Sequence, residues 1–206
     1  MVTEMLALAT TDPSAGSAVT RIASFTRRMT RMVEQVMDLT RTRIGGGIPL
    51  ALRDVRLGAL AKTVVKELAL AHPQSRFELE VVDDVHGAWD HERLAQVLAA
   101  VLGNAVQHGL RDGVVTISVA ASSSGAAITV TNDLRDEPIP PDALETLFAA
   151  YHRGWDQKHA GPGLGLDLYI AQEIIHAHGG SISAESSRDG TTIRIVLPEK
   201  REQPRG

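Results

Sequence analysis

The sequence predicts an α+β fold in which helices cover one face of a mixed β-sheet. Two patterns support this prediction: a heptad of apolar residues near the N-terminus, and a later mixture of helical and strand periodicity. The 206 residues suit one large domain, or a medium domain with an appendage. We expect a helical segment at 1–48, a domain at 49–198 and a charged, frayed tail at 199–206.

A long amphipathic helix is predicted first. Its apolar seam recurs at spacings of three and four and comprises Ile22, Phe25, Met29, Met32, Val36 and Leu39. Gly45–Gly47 and Pro49 end the helix, and a short apolar helix at 2–9 precedes it. A lone helix cannot bury this seam. It packs either on its own domain or, as the strict heptad favours, in a four-helix bundle with a second copy of the chain.

From about residue 54 the periodicity predicts a mixture of helices and strands. Asp90 caps a helix that Gly109 ends, and a further helix opens after a glycine-rich stretch and runs through His178. Other helices are predicted in "LGALAKTVVKELALAHP" and "PPDALETLFAAYHRG". The predicted strands are "RFELEVV", "GVVTISVAA", "AAITVTN", "SISAESS" and "TTIRIVLP", the last two forming a hairpin. This order lacks the strict strand–helix alternation of a dinucleotide-binding fold.

Composition excludes several classes of function. The net charge of −4 argues against general nucleic-acid binding, and the absence of cysteine excludes disulfides, thiol catalysis and cysteine-ligated metals. The sequence shows no signal peptide and no apolar run long enough to cross a bilayer. A cytoplasmic protein without a membrane segment is therefore expected.

The glycine-rich stretch "GPGLGLDLYI" raises the possibility of a phosphate site. Gly161, Gly163 and Gly165 stand at alternate positions just before a predicted helix. Backbone N–H groups approach a phosphate closely where no Cβ intervenes, and a helix N-terminus adds further N–H groups and its dipole. Taken alone, the glycines fit a tight turn equally well.

Four ordered motifs together narrow the interpretation: "VLGNAVQHG", "PIPPDALETLFAAYHRG", "GPGLGLDLYIAQEIIHAHGG" and "DGTTIRIVLP". From about residue 18 to 198, the chain resembles the C-terminal half of bacterial sensor histidine kinases. That half consists of a dimerisation helix and an ATP-binding domain of the gyrase–chaperone–kinase ATPase superfamily. The resemblance implies a two-layer α/β sandwich, the histidine-kinase ATPase fold, after a long dimerisation helix. It also implies ATP and Mg²⁺ as cofactors, a homodimer formed through the N-terminal helix, and a response regulator as partner.

The resemblance also implies roles for particular residues. Asn104 matches the asparagine that holds magnesium in the family. Its side-chain amide oxygen suits a hard cation. Asn132 matches the position that reads adenine, and Leu164 and Leu166 would pack under the nucleotide. His108 fits either a polar group near the phosphates or a cation at a helix C-terminus. The remaining expected ATP contacts are Gln107, the glycines Gly161, Gly163 and Gly165, and Arg153 and Lys158 in a lid at 151–160.

The chain departs from the family pattern at three places. No histidine precedes His72, so the phosphoacceptor histidine of the dimerisation helix is missing and autophosphorylation of this chain is not expected. Ala100 stands where the family usually has a second polar residue. In the loop 132–138, Leu134 replaces a glycine. The acidic residues Asp133, Asp136 and Glu137 of that loop either face solvent or repel phosphates.

Three functions follow from these observations. The first is the catalytic half of a two-component histidine kinase, which would phosphorylate a histidine supplied by another chain or by a missing segment. The second is a catalytically degenerate dimeric adaptor or phosphotransfer regulator that docks response regulators. The third, a protein-serine kinase of the anti-sigma type, is disfavoured because such proteins lack the long heptad helix.

Overall fold

The computed structural model describes residues 26, 29–30, 32–33, 35–40, 47–135, 137–151 and 164–199. The chain divides into two compact units, residues 1–40 and residues 41–206. The predicted boundaries at 48 and 198 and the long dimerisation helix as a whole stay predictions.

In the first unit, the described residues between 26 and 40 are helical. Three residues on one side of this helical segment are buried: Gln35, Asp38 and Leu39. Four apolar side chains on the other side are exposed: Met29, Val33, Val36 and Met37. Two members of the predicted seam, Met29 and Val36, therefore belong to an exposed apolar stripe. Ile22 and Phe25 lie outside the described residues.

The second unit is built around a five-stranded sheet in the order β2-β4-β5-β7-β6. Its strands are β2 (Arg76–Val81), β4 (Val114–Ser122), β5 (Gly125–Asn132), β6 (Ser181–Ser187) and β7 (Gly190–Pro198). Strand β2 runs parallel to β4, and the other pairs are antiparallel. The sheet is mixed, as the sequence predicted.

Helices cover one face of this sheet. They are α1 (Leu57–Ala71), α2 (His91–His108), α3 (Pro141–Thr146) and α4 (Asp167–Ala177). Along β4, Val115, Ile117 and Val119 are buried, while Thr116 between them is exposed, because alternate side chains point to opposite faces of a strand. Within the described part of the chain, no helix has the length and apolar character that a membrane span requires.

A second, two-stranded sheet is not predicted by the sequence. Strands β1 (Arg53–Arg56) and β3 (His86–Trp89) pair antiparallel, with Arg53 opposite Trp89. Both strands are only four residues long, and neither Arg-Asp-Val-Arg nor His-Gly-Ala-Trp carries an apolar alternation that periodicity could detect. Trp89 is fully buried, and its indole Nε1–H donates to the carbonyl of Pro198 at 3.2 Å. Long-range packing therefore fixes this small sheet.

Two predicted helix ends shift in the structure. The prediction for the segment around α3 extended to residue 154, but the helix ends at Thr146 and is followed by turns. The prediction for α4 included His178, which instead follows the last helical residue, Ala177. Helix ends are the part of an element that periodicity specifies least.

Candidate functional site

Helix α2 begins at a well-satisfied cap. Asp90 Oδ1 accepts from the N–H groups of Glu92 and Arg93, each at 3.1 Å, and Oδ2 accepts from the N–H of Ala51 at 2.7 Å. Burial raises the pKa of the Asp90 carboxyl. Three backbone hydrogen bonds, from Ala51, Arg93 and Glu92, outweigh that effect and lower the pKa below its ordinary value. The cap therefore joins the start of α2 to the chain segment that leads into the domain.

His178 links this cap to the end of α4. The ring is fully buried, its Nε2 accepts from the N–H of Asp90 at 3.0 Å, and its Nδ1 donates to the carbonyl of Ile174 at 2.8 Å. Because Nε2 acts as an acceptor, the ring is neutral with its proton on Nδ1. We call the junction of Asp90, His178 and Ala51 the closed end of the α2–α4 pair.

The opposite end of the same helix pair gathers the residues expected to bind a nucleotide. Helices α2 and α4 pack together, and the end of α4 is bonded to the start of α2, so they run antiparallel. With a rise of about 1.5 Å per residue, Asn104 lies roughly 21 Å along α2 from Asp90. By the same rise, Asp167 lies roughly 17 Å along α4 from His178. Asn104 and the start of α4 therefore meet at what we call the open end.

The last turns of α2 carry most of the polar candidates. Asn104 is half-buried, and Ala100 and His108 stand one turn away on the same side of the helix. Gln107 is exposed, and its Nε2 lies 3.2 Å from Nε2 of His108. His108 lies in the last turn of α2, where a cationic histidine is favoured. Both alternatives for His108 therefore stay open.

The start of α4 has the backbone that the glycine motif suggested. Gly165 has φ +67°, a left-handed conformation that glycine adopts without strain. Leu164 is half-buried, and Leu166, which precedes the helix, is buried in the core. Leu166, the residue that precedes α4, has no polar side-chain atom and so forms no capping hydrogen bond with the first N–H groups of the helix. Four other candidates lie outside the described residues: Arg153, Lys158, Gly161 and Gly163.

Asn132 ends strand β5 in a buried position. Only 7% of its surface is exposed, and its Nδ2 donates to the carbonyl of Asp133 at 3.0 Å. Among the described residues, nothing donates a hydrogen bond to its Oδ1. A Cβ added to Gly109 would lie 3.2 Å from Nδ2 of Asn132, so this side chain abuts the end of α2. The structure thus brings Asn132 to the same end of α2 as Asn104.

Sequence reasoning missed Thr191, which faces Asn132 across strands β5 and β7. Thr191 is 7% exposed, and its Oγ1 lies 2.9 Å from Oγ of Ser186. Ser186 Oγ also accepts from the N–H of Ile139 at 3.1 Å, and this hydrogen bond holds the "PIP" segment against β6. Only the pairing of β5 with β7 brings Thr191 here, and its single sequence signal is its place just after the "DG" turn.

Asp133 has a role that neither predicted alternative gave it. Its side chain is exposed, but Oδ2 accepts from the N–H of Val114 at 3.2 Å. Its carbonyl accepts from the N–H of Leu110 at 3.0 Å, next to the bridge between Gly109 and Leu134. Asp133 therefore fastens the turn after α2 to the end of β5. Glu137 is exposed, and Asp136 lies outside the described residues.

Comparison with known proteins identifies the class. Residues 89–201 match the family of histidine kinase-, DNA gyrase B- and HSP90-like ATPases, so the chain belongs to this family. Its ATPase domain is of the histidine-kinase type. The chain is 34% identical over 194 residues to the sensor histidine kinase TrcS of Mycobacterium tuberculosis. The matched region covers 90% of this chain and 37% of TrcS. The chain is also 30% identical over 178 residues to the bacteriophytochrome of Pseudomonas aeruginosa, covering 86% of this chain and 24% of that protein.

Solved structures have the same fold. The catalytic domain of histidine kinase ThkA superposes with a TM-score of 0.62 at 25% identity, covering 73% of this chain and 97% of that one. Full-length ShkA in complex with AMPPNP superposes with a TM-score of 0.70 at 22% identity, covering 91% of this chain and 39% of ShkA. This chain spans about a quarter to two-fifths of the length of the curated relatives named above.

Proposed function

We propose that this chain is the catalytic half of a two-component histidine kinase, binding ATP with Mg²⁺ and transferring phosphate to a histidine. The observation that carries the proposal is the amide oxygen of Asn132, which is buried without a donor among the described residues. Buried polar atoms are nearly always hydrogen-bonded, so such an acceptor fits a ligand that brings a donor. The exocyclic amino group of adenine is such a donor.

The adenine end would be formed by Asn132 and Thr191. Their side chains face each other at the ends of paired strands, and both are buried. The amide oxygen accepts a hydrogen bond, while the threonine hydroxyl both donates and accepts. This pair suits the edge of a purine, which presents donors and acceptors side by side.

The phosphate end would be formed by the open end of the helix pair. The first N–H groups of α4 and the left-handed Gly165 provide donors that suit an anion, and Asn104 provides an oxygen that suits Mg²⁺. When bound, the magnesium ion would neutralise charge on the phosphates. In the proposal, Gln107, His108, Arg153, Lys158 and the remaining glycines contribute further contacts.

The partners are part of the same proposal. The first histidine of the chain, His72, is exposed at the end of α1, so the acceptor histidine would come from another chain or from sequence beyond this one. The exposed stripe of Met29, Val33, Val36 and Met37 would pack against a second copy of the chain. A response regulator would receive the phosphate, in the cytoplasm where ATP is available.

One observation favours a second candidate, a catalytically degenerate dimeric adaptor that docks response regulators. Ala100 is half-buried one turn before Asn104, at the place where the family usually has another polar side chain. A methyl group neither ligates a metal nor orients a phosphate. The second candidate therefore predicts weak or absent nucleotide binding on a preserved fold.

Calorimetric titration with a non-hydrolysable ATP analogue, with and without Mg²⁺, separates the two candidates. The catalytic half predicts saturable binding that Mg²⁺ strengthens, and loss of the Mg²⁺ effect in Asn104→Ala. The matched control is Ala99→Ser, at an exposed position on the opposite side of α2. This variant should keep the effect of Mg²⁺ on binding. Functional ATP sites almost always saturate below about 5 mM nucleotide. The absence of saturable binding at about 5 mM analogue would therefore rule out the catalytic half. If binding is found, labelled ATP and a histidine-bearing dimerisation domain test transfer.

A further inference from the structure

A row of polar side chains crosses the helix-covered face of the main sheet. In this row, Thr191 of β7 pairs with Asn132 of β5 on one side and with Ser186 of β6 on the other. Side chains two residues apart along a strand share a face, and the next two rows on this face are apolar. They comprise Val130, Ile193 and Ala184, and then Ile128, Ile195 and Ile182. The covered face therefore changes from apolar to polar at the end of β5 that carries Asn132.

Ser186 joins this polar row to the segment that leads into α3. Its Oγ accepts from the N–H of Ile139 at 3.1 Å and lies 2.9 Å from Oγ1 of Thr191. Within the described part of the chain, neither hydroxyl has another hydrogen-bond partner. One amide and two hydroxyls thus form a short hydrogen-bonded chain, in which one hydroxyl proton remains for a further acceptor.

The residue that carries this remaining proton depends on the direction of the bond between the two hydroxyls. A hydroxyl has one proton and two lone pairs, so the proton lies on Thr191 if Ser186 donates and on Ser186 if Thr191 donates. Hydrogen bonds in a chain polarise one another, so a hydroxyl that accepts from an amide N–H becomes a better donor. The N–H of Ile139 therefore favours donation from Ser186, which leaves the proton of Thr191 for a ligand.

We propose that Ser186 is a positioning residue that directs the hydroxyl proton of Thr191 toward a bound purine. The inference rests on the proposed function, because it requires an adenine nucleotide whose exocyclic amino group donates to Asn132. The ring nitrogens N1 and N7 flank that amino group and accept hydrogen bonds, so the proton of Thr191 suits one of them. Ser186 acts through Thr191 and does not itself contact the ligand.

Calorimetric titration of the full chain with a non-hydrolysable ATP analogue tests the order of these contacts. We expect Thr191→Val to weaken binding about tenfold and Ser186→Ala about threefold, the range of one lost or misdirected hydrogen bond. In the Thr191→Val background, Ser186→Ala should cause no further loss, because the two residues act in series. Ser186→Thr keeps the hydroxyl and should keep the affinity. The matched control is Ser183→Ala, an exposed position of β6 on the opposite face, which should bind like the unaltered chain.

Deaza analogues of the same nucleotide test the contact with the base. They replace either N1 or N7 by carbon and so remove one acceptor at a time. With one of the two, Ser186→Ala should bind as tightly as the unaltered chain, because the proton of Thr191 has lost its acceptor in both proteins. A purely structural role of Ser186 would give the same loss with both analogues.

Amide hydrogen exchange of Ile139, measured by NMR without nucleotide, tests the protein side of the chain. Ser186→Ala removes the acceptor of this N–H and should speed its exchange, whereas Ser186→Thr should keep the protection. Unchanged exchange in Ser186→Ala would overturn the inference, because Ser186 would then not hold this segment.

Two binding results would overturn the inference and leave the proposed function intact. The first is an unchanged affinity for the ATP analogue in Ser186→Ala. The second is a loss in Ser186→Ala that persists with both deaza analogues or adds to that of Thr191→Val. Absence of binding by the unaltered chain is a different result, which would overturn the proposed function and this inference with it.

Discussion

At its first turn, helix α2 is capped by a buried carboxylate that accepts three backbone N–H groups, whereas its last turns carry polar side chains that are half-buried or exposed. The same contrast holds for its neighbour α4. His178 closes its C-terminal end with both ring nitrogens bonded, while Leu166, the residue that precedes its N-terminal end, has no polar side-chain atom to cap it. The closed end and the open end thus belong to the same two helices.

The closed end and the open end are expected to contribute differently to folding stability and to ligand binding. Satisfied buried groups at the closed end resist separation of the helices, because any break exposes an unpaired donor or acceptor. At the open end, the buried amide of Asn132 has an oxygen with no donor among the described residues, which costs stability. Substitutions at the closed end should therefore change unfolding, and those at the open end should change ligand affinity.

The largest expected effect is that of His178→Ala. It removes a fully buried ring and leaves the N–H of Asp90 unpaired, while the carbonyl of Ile174 keeps only the backbone N–H of residue 178 as a donor. We expect the free energy of unfolding to fall by about 3–4 kcal/mol in urea denaturation. The control is His176→Ala, an exposed histidine two residues earlier, with a loss below about 0.5 kcal/mol. Equal effects for both variants would contradict the closed end as a stabilising junction.

Asp90→Ala comes next, with an expected loss of about 2 kcal/mol from the missing cap and the freed N–H of Ala51. Asn also caps helices well, so Asp90→Asn keeps an acceptor for the N–H groups of Glu92 and Arg93 and should lose less, although its amide NH2 cannot accept from the N–H of Ala51.

The charge effect has a defined pH dependence. Because the pKa of Asp90 is lowered in the folded state, its ionisation stabilises the fold above the unfolded pKa of about 4. This contribution is lost as the pH falls through the folded pKa. The stability difference between the native chain and Asp90→Asn should therefore shrink from pH 6 toward about pH 3 in denaturation measured across this range. A difference that stays constant with pH would show that the carboxylate charge plays no part.

At the open end, Asn132→Ala should weaken binding of an ATP analogue about tenfold, the equivalent of about 1.4 kcal/mol. Thr131→Ala is the matched control, since Thr131 points to the opposite side of β5 and bonds Thr192 at 3.0 Å. Calorimetry on both variants checks this prediction. Equal losses in the two would mean that the substitution disturbs the strand and not a contact with adenine.

Gly165→Ala should have the smallest effect, a loss of about 1 kcal/mol in unfolding free energy, because alanine is strained at φ +67°. Gly103→Ala provides the opposite control. Gly103 lies inside α2 with open space around the added Cβ, so alanine should stabilise by about 0.5–1 kcal/mol. Thermal denaturation distinguishes the two signs. A gain in stability at both positions would show that the left-handed conformation of Gly165 imposes no constraint.

Local sequence signals found most of the elements and both ends of α2. Asp90 and Gly109 carry the residue chemistry of a cap and a terminator, and the strands of the main sheet alternate or run apolar as expected. The ordered motifs placed Asn104, Asn132 and Gly165 in one functional group, and the family match confirms the class. Strands β1 and β3 were missed because strands of four residues without an apolar alternation are specified by pairing with a distant partner.

The sequence by itself determined the class of fold, the capping of α2 and the position of the glycine-rich turn, since each depends on neighbours within one or two turns of chain. Only the tertiary structure decided that His178 bonds Asp90, that Thr191 faces Asn132 and that Asp133 fastens two loops. These contacts join residues far apart in sequence. Their free energy comes from removing polar groups from water and pairing them, so it exists only once the sheet and helices have packed.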